Sequence, residues 1–242
     1  MKHPIIFAIT LFHLSCFGQT AQNQPEQAET SGFQLGIHFS PDVCYRTLKN
    51  NDGSTMSDAI IQQRNENEIF KLGYTLGLTT LLPLNKHISL ESGITYSNKG
   101  YQTTMQVLYY FQYDPAAPQK MKSIYNNHYI DIPFKANFIL GKKKLRFISS
   151  LGLTTNVFIR ETSTSVLVYS DRTERNSSAT NFKYNRLNLS PSFGLGIDYQ
   201  LNDKMNFRIQ PSFSYSLLKI IDAPVTAYLY SGGIYMSYFF KL

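Results

Sequence analysis

Between residues 204 and 217 the chain alternates apolar and polar side chains without a break. Met205, Phe207, Ile209, Pro211, Phe213, Tyr215 and Leu217 fall on one parity, and Lys204, Asn206, Arg208, Gln210, Ser212, Ser214 and Ser216 on the other. Successive strand side chains point to opposite faces, so the segment predicts one long strand with an apolar and a polar face. At about 3.3 Å per residue and a tilt of about 40°, such a strand rises on the order of 30 Å, the height of a bilayer's hydrocarbon core. Strands of ordinary globular domains are usually about five or six residues long. The length points to a strand that crosses a membrane.

The same alternation recurs in residues 33–45, 70–78, 88–96, 128–140, 145–159, 187–199 and 228–242, which makes eight strands in all. Between them, residues 83–86, 141–144 and 201–204 are tight connections carrying the Gly, Asn and Asp that hairpin turns require. The other connections, 47–67, 102–124 and 161–183, are long and polar, with a shorter one at 219–227. Short turns at one end and long loops at the other are the pattern of a barrel in an outer membrane. Aromatic residues mark the two ends of the apolar rows. Phe33, Phe138, Phe147, Tyr199, Phe207, Tyr238 and Phe240 lie toward the turns, and Tyr45, Phe70, Tyr96, Tyr215, Tyr228 and Tyr230 toward the loops, as interfacial girdles do. The expected fold is all-β: an eight-stranded antiparallel up-and-down transmembrane β-barrel over residues 32–242, with short periplasmic turns and long extracellular loops.

Ahead of it, Lys2 and the short apolar run of residues 4–14 form an export signal, residues 1–18, with cleavage expected before Gln19. Leu14-Ser15-Cys16 also resembles a lipoprotein box, although His13 stands where that box has an aliphatic residue. Residues 19–31 are polar and form a disordered periplasmic lead-in. Removal of the signal leaves Cys44 as the one cysteine, which excludes an intrachain disulfide. Mean hydropathy is −0.22, out of keeping with a helical membrane protein but natural where every second residue is polar. The formal charge of +7 is scattered through turns and loops, so nucleic acid is not an expected partner.

Three stretches then carry a resemblance. Tyr129-Ile130-Asp131-Ile132-Pro133, the Gly-rich Ser192-Phe193-Gly194-Leu195-Gly196-Ile197-Asp198-Tyr199 and the terminal Tyr238-Phe239-Phe240-Lys241-Leu242 resemble signatures of the PorT-like outer-membrane β-barrel family of Bacteroidetes. The resemblance implies an outer-membrane location, contact with outer-membrane lipid, and insertion by the barrel-assembly machinery, which reads the last strand. Leu242 departs from the aromatic residue that often ends such strands. The family's namesake is associated with secretion of cell-surface proteins, while most relatives have no assigned activity.

An eight-stranded barrel is just wide enough for its own side chains. Inward-facing Lys71, Glu91, Asp131, Lys135, Arg146, Asp198 and Arg208 are expected to pair as a structural lumen network, with inward glycines (Gly73, Gly77, Gly93, Gly152, Gly194, Gly196) making room. His38, Ser40 and Asp42 share that face and superficially suggest a hydrolase. Alternate residues on a strand are about 7 Å apart, too far for a direct hydrogen bond between short side chains. No metal-ligand spacing or phosphate loop occurs, and neither an enzyme nor a cofactor is expected. Cys44 reads as an inert lumen thiol. The loops are the candidate working surface. The run Tyr109-Tyr110-Phe111-Gln112-Tyr113 either continues a strand or forms a contact patch for a cell-surface or secretion-system protein or a glycan. A secreted lipocalin-like barrel with an apolar ligand inside is the alternative, and it requires the apolar face to turn inward.

Overall fold

The computed structural model describes residues 32–241 apart from 113, 115, 142, 181 and 182. The expected signal and lead-in, Cys16 among them, fall outside the described residues, as does Tyr113. The strands are β1 (Gln34–Asn50), β2 (Glu68–Ile69), β3 (Lys71–Pro83), β4 (Ile88–Thr103), β5 (Gln106–Val107), β6 (Lys120–Leu140), β7 (Leu145–Val168), β8 (Thr173–Ala179), β9 (Leu187–Asn202), β10 (Met205–Tyr215) and β11 (Val225–Lys241), with one helix, α1 (Thr55–Asn67). Eight of them pair antiparallel in a closed ring, β1-β3-β4-β6-β7-β9-β10-β11, and β11 returns to β1 over the register from Gln34 with Lys241 to Asn50 with Val225. This is the up-and-down barrel expected from the alternation. Each long strand meets its chain neighbour, and closure leaves no edge.

The tight turns are held by the residues that mark them. Asn85 Oδ1 accepts from His87 N and Ile88 N, both at 2.8 Å, and Asn202 Oδ1 accepts from Lys204 N at 2.9 Å. Gly141 turns the β6–β7 corner at φ +119°, a backbone region that favours glycine.

The apolar rows face out. Ile37, Leu72, Leu78, Ile94, Phe134, Phe147 and Leu195 are exposed on the outer wall, whereas Glu91, Asp198 and Arg208 are fully buried inside. A charged interior overturns the lipocalin alternative, since an apolar ligand there would face polar and charged side chains instead of an apolar wall. The outer girdle is continuous around the β10–β11–β1 seam, where Tyr230 meets Tyr45 edge-on at 6.0 Å and stacks with Tyr215 at 6.4 Å.

The loops depart from expectation. β6 begins at Lys120 and β7 runs to Val168, so much of the expected loops at 102–124 and 161–183 is strand; with β5 and β8 it forms a sheet standing above the barrel. Polar and apolar residues are mixed on both faces here, with Ile124 and Val166 on the same face as Lys122 and Arg160, so the unbroken apolar row that marks a membrane strand ends before the strand does. β10, conversely, ends at Tyr215 rather than Leu217. Residues 55–67, expected as polar loop, are helical, capped by Ser54 Oγ accepting from Ser57 N at 3.1 Å. The helix is mostly polar, and Met56, Ala59, Ile60 and Ile61 are too few to form the periodic apolar stripe that would reveal it.

Candidate functional site

At the turn end of the barrel, inward residues near the starts and ends of six strands converge. Glu91 of β4 is the hub. Its Oε2 accepts from Arg208 Nη1 at 2.7 Å and Asn137 Nδ2 at 3.1 Å; its Oε1 accepts from Lys135 Nζ at 3.3 Å and from the Tyr235 hydroxyl. Arg208 Nε reaches Asp198 Oδ1 at 3.3 Å, and Arg146 completes the chain on Asp198 Oδ2. The Arg208 guanidinium lies 4.9 Å from the ring centre of buried Phe239, and Lys135 Nζ lies 3.8 Å above Tyr235. Glycines opposite provide the space. A Cβ on Gly152 would stand 2.5 Å from Lys135 Cγ, and one on Gly194 would stand 2.3 Å from Gln210 Nε2.

The structure thus joins Glu91, Lys135, Arg146, Asp198 and Arg208 in one network and holds the other two expected members apart. Asp131 anchors a second layer nearer the loops, accepting from Ser97 Oγ and Asn156 Nδ2, both at 2.7 Å, and pairing with Lys99 at 3.2 Å. Lys71 donates to Asn98 Oδ1 and to Lys99 O, at a gap where β3 has parted from β4. Alternation puts Asn137 on the inward row, outside the expected charge network, and the sequence reading left out Lys99, Asn156 and Tyr235. All four occupy inward parity on their strands, but Lys99 lies past residue 96, where the expected strand ends and β4 continues.

A polar cavity of about 90 Å³ lies within these layers, lined among others by His38, Asp42, Asp131, Lys135 and Tyr235. Drug-sized ligands occupy pockets of about 300–1,000 Å³, so this space is too small for a ligand of that size. Ser40 Oγ donates to Asp42 Oδ1 at 2.7 Å, against the expectation that alternate strand residues are too far apart. The reason is Gly233 opposite, where a Cβ would lie 2.0 Å from Asp42 Oδ1 and 2.7 Å from Ser40 Oγ; the two side chains lean together into that space. Asp42 also accepts from Thr75 Oγ1 at 2.7 Å, and His38 instead stacks on Tyr235 at 4.0 Å. Ser40 therefore serves as a donor to a carboxylate, and its contacts do not form a nucleophile–base pair. Cys44 is fully buried beside Gly73.

The outer mouth is closed differently. Tyr129, Leu229 and Ala227 meet Ile220, carried in by the β10–β11 connection, with Phe158, Leu48, Tyr101 and Ile221 packed around them. Beside this apolar cap, α1 is tied down by charge: Glu68 accepts from Arg46 Nε at 2.8 Å and Arg64 Nε at 2.7 Å, while Arg46 Nη1 reaches Asn65 Oδ1 at 2.6 Å. Burial disfavours the Arg64 charge, but the bonds to Glu68 more than offset it, and its pKa stands above the ordinary arginine value.

The aromatic run does not continue a strand. β5 ends at Val107, and the tip beyond it leaves Tyr109 91% exposed and Phe111 wholly so. The stem is fixed by Leu108 N to Gln119 O at 2.9 Å, and the Tyr110 hydroxyl donates to Pro118 O at 2.7 Å.

A closed ring with lipid-facing apolar rows, a charged interior and tall loops defines an outer-membrane β-barrel protein. The family model of the outer membrane protein β-barrel domain matches residues 18–222, and the chain belongs to that family, whose place is the outer membrane of Gram-negative bacteria. Among solved structures it is similar to Neisserial surface protein A, at 9% identity over 88% of this chain and 98% of that one with a TM-score of 0.49. It is similar also to OprG of Pseudomonas aeruginosa, at 10% identity over 89% and 99% with a TM-score of 0.44. Ail, the attachment invasion locus protein of Yersinia pestis, is similar at 12% identity over 86% and 99% with a TM-score of 0.34. No curated protein sequence matches the chain.

Proposed function

We propose that the chain is a PorT-like barrel of a Bacteroidetes outer membrane that presents its loops to a cell-surface or secretion-system partner, with a lumen that serves structure rather than transport or catalysis. On this reading residues 1–18 direct export, and the barrel-assembly machinery inserts the mature chain. The observation that carries it is the aromatic tip. Tyr109 and Phe111 are held out in solvent by an ordered stem, while the lumen beneath is occupied by its own side chains. Large aromatic side chains presented on a fixed scaffold supply contact area at small entropic cost, as binding surfaces require. The shared motif supports the family reading, since its Tyr129 packs in the mouth and its Asp131 anchors the second lumen layer.

The test is surface cross-linking in the native host, comparing the wild-type chain with a Tyr109→Ser/Phe111→Ser variant. The expected result is a discrete cross-linked product that falls at least tenfold in the variant, while the variant still runs as a heat-modifiable outer-membrane protein. An unchanged product overturns the tip as the contact. A steady single-channel conductance from the purified wild-type barrel overturns the filled lumen.

A further inference from the structure

The sheet that stands above the barrel separates its charges by face. Side chains paired across a ladder point to the same side, as the Thr164 to Ser177 hydrogen bond at 2.8 Å demonstrates. The register aligns His128 with Arg160, Lys122 with Val166 and Arg175, and Lys120 with Val168 and Thr173. This face continues the lipid-facing wall. His128 follows Ile130 and Ile132 on the same parity, and its Nδ1 bonds the hydroxyl of Tyr96 in the outer girdle. Over β6 residues 120–128, β7 residues 160–168 and β8 the face carries Lys120, Lys122, Arg160 and Arg175 and no carboxylate. The opposite face carries Glu161 and Glu174 and no Lys or Arg. Among the described residues none of the four outward cations is in an ion pair.

The change begins at one bulge. Below it β7 sends Leu153, Val157 and Ile159 toward lipid; the irregularity opposite His128 and Tyr129 inserts a residue, and Arg160 becomes the first charge on the outer side of β7. Arg160 is exposed, and Lys122 and Arg175 stand six residues further along the ladder, roughly 20 Å up the strand. With the strands tilted by about 40° the cations start at the membrane interface and rise about 15 Å, Arg160 at headgroup level and Lys122 and Arg175 at the level of a glycolipid's sugars. A surface with unpaired positive charge at that height attracts phosphate, which guanidinium groups bind through paired N–H donors.

We propose that the outward face of β6, β7 and β8 is a binding site for the phosphate groups of an outer-leaflet glycolipid, with Arg160 at the interface and Lys122 and Arg175 above it. The site is separate from the aromatic tip and does not rest on the partner reading given for it.

The test uses the full mature chain in nanodiscs of neutral phospholipid, titrated with a diphosphorylated lipid A and with its dephosphorylated form and followed by native mass spectrometry. The expected result is at least a tenfold preference for the phosphorylated lipid, lost in a Lys122→Gln/Arg160→Gln/Arg175→Gln variant that remains heat-modifiable. Single Arg160→Gln and Lys122→Gln chains, which keep the scaffold if the triple variant does not fold, are each expected to lose about threefold. Equal retention of the two lipids, or an unchanged preference in the variants, overturns the proposal. So does a soluble sulfated glycan that binds as tightly and displaces the lipid, which would assign the face to a glycan receptor. The Tyr109→Ser/Phe111→Ser variant must keep full lipid preference.

Discussion

The two ends of the lumen are filled by opposite chemistry. At the turn end, buried Glu91, Arg208 and Asp198 and half-buried Arg146 form a chain of charges contributed wholly by strands. At the loop end, Tyr129, Ala227 and Leu229 pack against Ile220, which belongs to a connection that folds in from above. Closure of the ring explains the difference. Where the strands wall off the interior on every side, each inward polar group must find its partner within the wall's fixed register. At the mouth a loop is free to deliver apolar side chains, and burial of their area closes the end. The ionic layer is thus tied to the whole ring, the apolar cap to one connection.

That contrast breaks most visibly at its hub. Glu91→Gln leaves Arg208 and Lys135 buried without their shared carboxylate, and removing one partner of a buried pair costs about 3–5 kcal/mol. The expected outcome is a marked fall in the urea midpoint of the barrel refolded in detergent, with the loss spread over all strands. A midpoint within error of wild type would show that the charges are not coupled to barrel stability. Leu229→Ala opens a void in the cap and is expected to cost about 2–5 kcal/mol, the range for Leu truncation in packed cores. Here amide exchange should quicken around residues 216–229 and leave Arg208 and its neighbours protected; uniform quickening would erase the distinction between the two ends. The smallest effect sharpens the role of the helix at the mouth. Ser54→Ala removes the cap of α1, worth about 1 kcal/mol, and should speed exchange in residues 55–67 alone.

Parity made most of the wall legible. Alternation in 204–217 and its recurrences placed Ile37, Leu72, Phe134 and Leu195 outward and Glu91, Asp131, Asp198 and Arg208 inward, because side-chain direction in a strand is set by a local period of two. The same count stopped short of the upper sheet. Above the lipid polar and apolar residues mix on both faces of β6 and β7, and the unbroken apolar row that announces a membrane strand is gone. It was silent on α1, whose polar residues carry no periodic stripe. The spacing argument also misjudged Ser40 and Asp42, since the room they share comes from Gly233, nearly two hundred residues away in the chain.

By itself, then, the sequence determined the number of strands in the ring, which face of each meets lipid, and which end carries turns. Those are properties of single strands and single corners. Only the tertiary structure decided that Glu91 of β4 meets Arg208 of β10, 117 residues apart, that Lys71 stays outside that network, and that Ile220 folds in to seal the mouth. Contacts across a barrel depend on how the strands tilt and stagger as the ring closes, and that geometry belongs to all eight strands together.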